Sequence, residues 1–364
     1  MIAMIAASAL SNTNASTNES FAADCDHDEY YDGVDIYDRD ALHALTKSRH
    51  RHVLPYTSNS QWDVWDALID LDGIDSDGGN GRLVHLVYRD ADVTAEEYGT
   101  ADTWNREHVW PKSRGVGGNG PDYTDVFALR PSDWSVNSAR GKKLFGECGL
   151  VHPMSECKVP AHVEAAADTA TDPSIWLPPK DVRGDLARSL MYMTIRYDGE
   201  SDDDSDRLDL ELSDCPDSPP AGDSSSLMGY LSILLKWHQE DIVDLKERQR
   251  NENVCKRWQG NRNPFVDYPE LVDYYFGTES GYSGYNCDND SESNDGSSAN
   301  NDQCAGLVPG DLMISGFKSD NPDLVSIVAL VDIDDTATLY MTDNAYTGTA
   351  LRSNEGVVKV RNCS

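Results

Sequence analysis

The sequence predicts an α+β protein: a mainly helical domain with a few strands, then a small β-rich module. Three observations carry this. Apolar residues recur at helical spacing in several stretches, among them 38–70, 183–197 and 227–238. Short runs rich in Val, Leu, Tyr and Trp, at 83–88 and 103–110, read as strands. A Ser-, Asn-, Asp- and Gly-rich linker over 278–305 separates this part from a last region of apolar, β-branched runs, a module over 306–364.

At the N-terminus, residues 1–10 are apolar without a basic residue, and read as a weak or truncated signal peptide too short to span a membrane. Residues 11–27 are Ser/Thr/Asn/Asp-rich and are expected to be disordered, so 1–27 form one signal-like, unfolded segment. In 38–70, Leu42, Leu45, Trp62, Trp65 and Leu68 fall near helix spacing. Leu83 to Tyr88 is a strand, and 103–110 a second one with His108 near its end. Gly115 to Pro121 is a flexible Gly-rich loop. Asp133 or Ser135 can cap a helix that carries Asn137 in its first turn and Arg140 three residues on, on the same face.

Residues 183–197 form a buried helix through Leu186, Leu190, Met193 and Ile195. The acidic run Asp202 to Asp206 lacks EF-hand spacing and reads as a solvated loop. Residues 227–238 are another apolar helix, with His238 as a packed core histidine. Past the linker, 310–317, 324–331 and 337–344 read as strands. So few strands leave edges open, and attachment or binding to a surface component is the expected role.

The chain has 364 residues and a net charge of −34, from 64 acidic and 30 basic residues. That suits a soluble protein of salty surroundings and opposes tight binding to nucleic acid, where phosphate contacts dominate. The balance reverses locally. Over 104–143, Arg106, Lys112, Arg114, Arg130, Arg140, Lys142 and Lys143 outweigh Glu107, Asp122, Asp125 and Asp133. A second basic run, 246–262, holds Lys246, Arg248, Arg250, Lys256, Arg257 and Arg262. A basic cleft in an acidic body is the expectation; a solvated helix face is the alternative for the second run.

The eight cysteines are scattered and contain no Cys-x-x-Cys, which argues against zinc. An even set fits disulfides in an oxidising compartment, with Cys148–Cys157 and Cys287–Cys304 as the local pairs. Buried free thiols in a cytosolic protein are the alternative. Four Asn-x-Ser triplets, at Asn14, Asn18, Asn289 and Asn362, fit the glycosylation pattern, which arises often by chance.

The chemistry concentrates in Trp104-Asn105-Arg106-Glu107-His108-Val109-Trp110-Pro111 and in Asp133-Trp134-Ser135-Val136-Asn137-Ser138-Ala139-Arg140-Gly141. Glu107 offers hard oxygens suited to Mg²⁺. His108 is a base that can be neutral near pH 7. Asn137 adds a neutral carbonyl oxygen. Such a set can serve a one-metal phosphodiesterase.

These segments resemble the endonuclease I family of secreted or periplasmic nucleases. The likeness continues through Asp125, Leu129-Arg130-Pro131, Phe145-Gly146-Glu147, Arg183-Gly184-Asp185-Leu186-Ala187-Arg188, Met191-Tyr192-Met193, Leu235-Lys236-Trp237-His238 and Gln259-Gly260-Asn261-Arg262-Asn263-Pro264-Phe265, and covers roughly 28–277. The resemblance implies a ββα-metal (His-Me finger) core. His108 would be the general base, and Glu107 and Asn137 would hold one Mg²⁺, for which Mn²⁺ or Ca²⁺ could substitute. Arg130, Arg140 and Arg106, in that order, are the candidates for phosphate contact, the first two with a catalytic role; the alternative for Arg106 is to face the core side of its strand and pair with an acid. Val126-Phe127-Ala128 departs from the family, which often places His or Asn before that Leu.

The expected function is a secreted, Mg²⁺-dependent, non-specific endonuclease acting as a monomer on DNA, with RNA as a second substrate, and leaving 5′-phosphates. Two other readings stand beside it: a catalytically degenerate extracellular binding or adhesion protein, and a phosphodiesterase of small nucleotides.

Overall fold

The computed structural model describes residues 24–75, 82–118, 120–199, 209–214 and 226–277, and the strand backbones 312–318, 324–329, 338–342 and 357–361. The chain divides into two compact units, Met1–Glu292 and Ser293–Ser364. Expectations for residues 1–23, the Asp202 run, the linker, the four Asn-x-Ser triplets and the Cys287–Cys304 pair lie outside the described residues; residues 24–27, expected to be disordered, are instead ordered, with Cys25 buried and bonded to Cys255.

The first unit is α+β. A short helix α1 (His27–Tyr30) precedes α2 (Arg39–Arg49) and α3 (Val64–Leu71). The helical stretch expected over 38–70 is therefore interrupted. Pro55 lacks an amide hydrogen, and Asp63 starts a new helix with a capping box to Asp66. Leu42 and Leu45 of α2, and Val64, Trp65, Leu68 and Leu71 of α3, enter the core as their spacing implies. Strands β1 (Gly73–Asp75), β2 (Arg82–Leu86) and β3 (Ala91–Thr94) form an antiparallel sheet in that order. Val87 then donates to the Pro131 carbonyl at 2.9 Å, bringing the end of this sheet against a second one.

The second sheet pairs β4 (Trp104–His108) with β5 (Leu129–Asp133), antiparallel, with Glu107 opposite Arg130 and His108 opposite Leu129. Between them lie α4 (Pro121–Thr124) and a 3₁₀ turn, Val126–Ala128. Helix α5 (Trp134–Arg140) leaves β5 without a loop. Asp133 caps it, accepting from Ser135 and Val136 amides, and Gly141, at φ +57°, ends it. Further along come β6 (Leu144–Phe145), β7 (Ala170–Thr171), β8 (Ile175–Leu177) and α6 (Arg183–Arg196), then β9 (Glu211–Leu212), β10 (Leu227–Met228), α7 (Leu231–Glu240) and α8 (Leu245–Asn253). A π turn, α9 (Pro264–Asp267) and α10 (Leu271–Phe276) complete the unit.

Helix α6 is buried almost throughout and packs on α2, α7 and the Val126–Ala128 turn. It holds that turn through polar contacts. Tyr192 and Tyr197 donate to Asp125 Oδ2 at 2.8 and 2.9 Å, and Gln259 Nε2 reaches Asp125 Oδ1 at 3.0 Å. Phe127 is buried, with its ring 4.6 Å from that of Tyr192. Disulfides join Cys148 to Cys157, as expected, and Cys25 to Cys255 across 230 residues.

In the second unit, β11 (Leu312–Lys318) pairs antiparallel with β12 (Leu324–Ala329), and β13 (Thr338–Thr342) with β14 (Val357–Arg361). The fourth strand, 357–361, was not among those expected.

Candidate active site

Alternation along β4 sends its side chains two ways. Arg106 and His108 meet the ring of Tyr56, while Asn105 and Glu107 meet residues of α5. Glu107 is 1 % exposed. Its Oε1 accepts from the Tyr88 hydroxyl at 2.8 Å and lies 3.0 Å from Arg140 Nη1. Burial raises the carboxyl pKa, and Arg140 and the Tyr88 hydroxyl oppose the rise. Among the described residues nothing donates to its second oxygen, Oε2.

Asn137 reaches β4 from α5. Its Nδ2 donates to Asn105 Oδ1 at 2.7 Å and to the Arg106 carbonyl at 3.4 Å. That fixes the amide, and its Oδ1 accepts no hydrogen bond from the described residues. The amide thus stands beside β4, the strand that carries Glu107.

His108 Nε2 lies 3.0 Å from the Tyr123 carbonyl. A carbonyl only accepts, so Nε2 carries the proton and the lone pair of the neutral ring is on Nδ1. The Tyr123 ring stacks on the imidazole at 4.9 Å and 15°, and Tyr56 lies at 5.7 Å. Burial brings the His108 pKa down to about 4 against the Tyr123 contact, with Lys112, Arg106 and Arg140 adding to the fall. The imidazole is therefore neutral at neutral pH, as a general base must be.

The three arginines expected to meet phosphate are held by the protein itself. Arg140 donates to the His108 and Val109 carbonyls at 2.9 and 2.8 Å and is 1 % exposed. Arg130 is buried and donates to the Val126, Phe127 and Leu129 carbonyls and to Ser189 Oγ; burial first, then Arg250, lowers its pKa to about 10. Arg106 donates to the Tyr56 carbonyl and lies 3.3 Å from the Tyr56 ring and 3.9 Å from that of Trp65. A guanidinium has five donors and is weakly hydrated, so it serves well as an internal clamp, and charge count alone does not reveal its direction. The second basic run is also largely neutralised: Arg250 pairs with Asp72, Arg257 with Asp70, Lys256 with Glu252, and Arg262 with Glu252 and Asp267. Lys112, exposed and 4.4 Å over the Tyr123 ring, is a cation the structure puts beside His108.

Tyr88 and Tyr123 were not picked out from the sequence. Tyr88 acts through its hydroxyl, and Tyr123 through its backbone carbonyl and its ring, contacts that leave no pattern in the chain. Asn105 stood in the motif without a role. No group of three or more His, Cys, Asp or Glu side chains among the described residues can hold a metal. The oxygens without donors are one carboxylate oxygen and one amide oxygen. Mg²⁺ accepts such a set, because it keeps several waters.

His108, Glu107 and Asn137 stand on one strand–strand–helix unit, an arrangement that suits a hydrolytic enzyme. The comparisons name the class. The family model described as Endonuclease I matches residues 46–270. The extracellular ribonuclease of Bacillus amyloliquefaciens is 40 % identical over 233 residues, covering 63 % of this chain and 73 % of that protein. The extracellular ribonuclease of Bacillus subtilis (strain 168) is 38 % identical over 251 residues, covering 68 % and 78 %. The chain belongs to the endonuclease I family. It is a nuclease, a hydrolase of phosphodiester bonds, and the reading as a degenerate binding protein gives way. Nucleases of this family generally depend on a divalent metal.

Proposed function

We propose that this chain is a Mg²⁺-dependent endonuclease of low sequence specificity that hydrolyses RNA and DNA to 5′-phosphate ends. It is a secreted protein, since both relatives are named extracellular and two disulfides are present. The relatives' names add weight to RNA. No helix among the described residues is long and apolar enough to cross a membrane.

The observation that carries the reading is the Tyr123 carbonyl 3.0 Å from His108 Nε2. It leaves Nδ1 as the base. His108 Nδ1 takes a proton from water as the water oxygen attacks phosphorus. The P–O3′ bond breaks, the phosphate stays on the 5′ side, and the 3′ oxygen leaves with a proton from solvent. Glu107 Oε2 and Asn137 Oδ1 would hold Mg²⁺, with waters completing its shell. When bound, the ion supplies Lewis-acid stabilisation of charge on the phosphoryl group and leaving oxygen. We assign Arg140 a positioning role through Glu107 and the His108 carbonyl, and Arg130 a packing role. The β4–β5–α5 unit would be the His-Me finger core.

The test is cleavage of supercoiled plasmid and of single-stranded RNA by the oxidised protein, with Mg²⁺ or EDTA, beside His108→Ala. The expected result is Mg²⁺-dependent cutting that falls by ~10²–10⁴-fold in the variant. Full activity in His108→Ala would overturn the assignment.

A further inference from the structure

Six of the eight tryptophans are buried; Trp62 and Trp134 are not. Trp62 sets its ring edge-on to Trp258, with 6.4 Å between centroids. Trp134, 37 % exposed, makes no ring or cation stacking contact among the described residues. It is the first residue of α5, three before Asn137, and residues so spaced share a helix side. An unstacked indole therefore stands on the rim of the site, one turn from the amide assigned to the metal.

Ser135 donates to Glu164, which fixes the 162–164 segment beside the start of α5. Val163, in that segment, is 91 % exposed. Trp134 itself is held in place: its amide donates to the Thr103 carbonyl at 3.0 Å, and Ser138 Oγ donates to the Trp134 carbonyl at 2.8 Å. The backbone that carries the indole is thus fixed, which limits the ordering needed when a ring lands on it.

We infer that Trp134 is a stacking platform for an unpaired nucleobase of the substrate next to the cleaved phosphate, so that the enzyme favours single-stranded nucleic acid. The inference rests on the nuclease reading above and names the substrate class for that site. Bases of a duplex hide their faces in the stack, and presenting one to Trp134 costs unstacking. A single strand presents its faces freely, and base–aromatic stacking tolerates any sequence.

The experiment compares wild-type, Trp134→Ala and Trp134→Phe full-length protein on a single-stranded 20-mer and on the duplex of the same sequence. In Trp134→Ala the ratio of single-strand to duplex kcat/KM falls about 5- to 150-fold, through KM, and Trp134→Phe restores most of it. Equal losses on both substrates, or no loss, overturn the inference. Binding of the labelled single strand to His108→Ala protein, with and without Trp134→Ala, is read by anisotropy. If wild-type protein cuts neither substrate but this binding depends on Trp134, the nuclease reading fails and the platform stands. If binding ignores Trp134 while cutting proceeds, the platform fails alone.

Discussion

Arg140 Nη1 stands 3.0 Å from Glu107 Oε1, with side-chain exposures of 1 % and 2 %. The same guanidinium grips the carbonyls of His108 and Val109, so one buried cation sets both the acid and the end of the strand that carries the base.

Removing that cation leaves a buried carboxylate with only the Tyr88 hydroxyl on it among the described residues. Arg140→Met is expected to lower stability by ~3–5 kcal/mol, and adding Glu107→Gln to recover part of the loss. Urea unfolding of the oxidised protein measures both. A loss under ~1 kcal/mol for Arg140→Met would mean that the pair contributes little.

Tyr88→Phe keeps the ring, which packs 5.4 Å from Trp176, and deletes only the hydroxyl on Glu107. Contacts of this kind behind a metal ligand are worth ~10- to 100-fold in metal affinity. Mg²⁺ titration of cleavage should shift by that factor, with kcat at saturating Mg²⁺ retained. An unchanged midpoint would separate Tyr88 from metal binding.

His50 gives the pH dependence of stability. Its side chain is 1 % exposed, its ring nitrogens have no hydrogen-bond partner, and Nδ1 lies 3.7 Å from Asp125 Oδ2. Burial brings its pKa down to about 4; Asp125 opposes this, while Arg196 and His52 add to it. An unfolded histidine takes its proton near 6.5. The unfolded chain therefore binds a proton between those values that the folded one excludes. This contribution is full above pH 6.5 and is lost as pH falls toward 4. His50→Gln should show a shallower fall in urea stability across that window. The wild-type slope in the variant would remove His50 from the account.

Much of the site is legible in the amino-acid sequence. The Glu107–His108 adjacency, Asn137 in the first turn after a capping Asp133, the strands on either side and the Cys148–Cys157 pair all depend on chemistry within a few residues. A cap, an alternation or a short loop is local, so its signal survives in the chain itself. Tertiary structure alone decided the rest: Tyr88 on Glu107, the Tyr123 carbonyl on His108, Cys25 bonded to Cys255, and three arginines held by protein carbonyls where phosphate contact was expected. These join residues from 15 to 230 positions apart, or turn on the direction of a long, flexible side chain. Charge and spacing leave that direction open. It is set by which carbonyls and carboxylates the folded core must satisfy, because each one buried without a partner costs free energy.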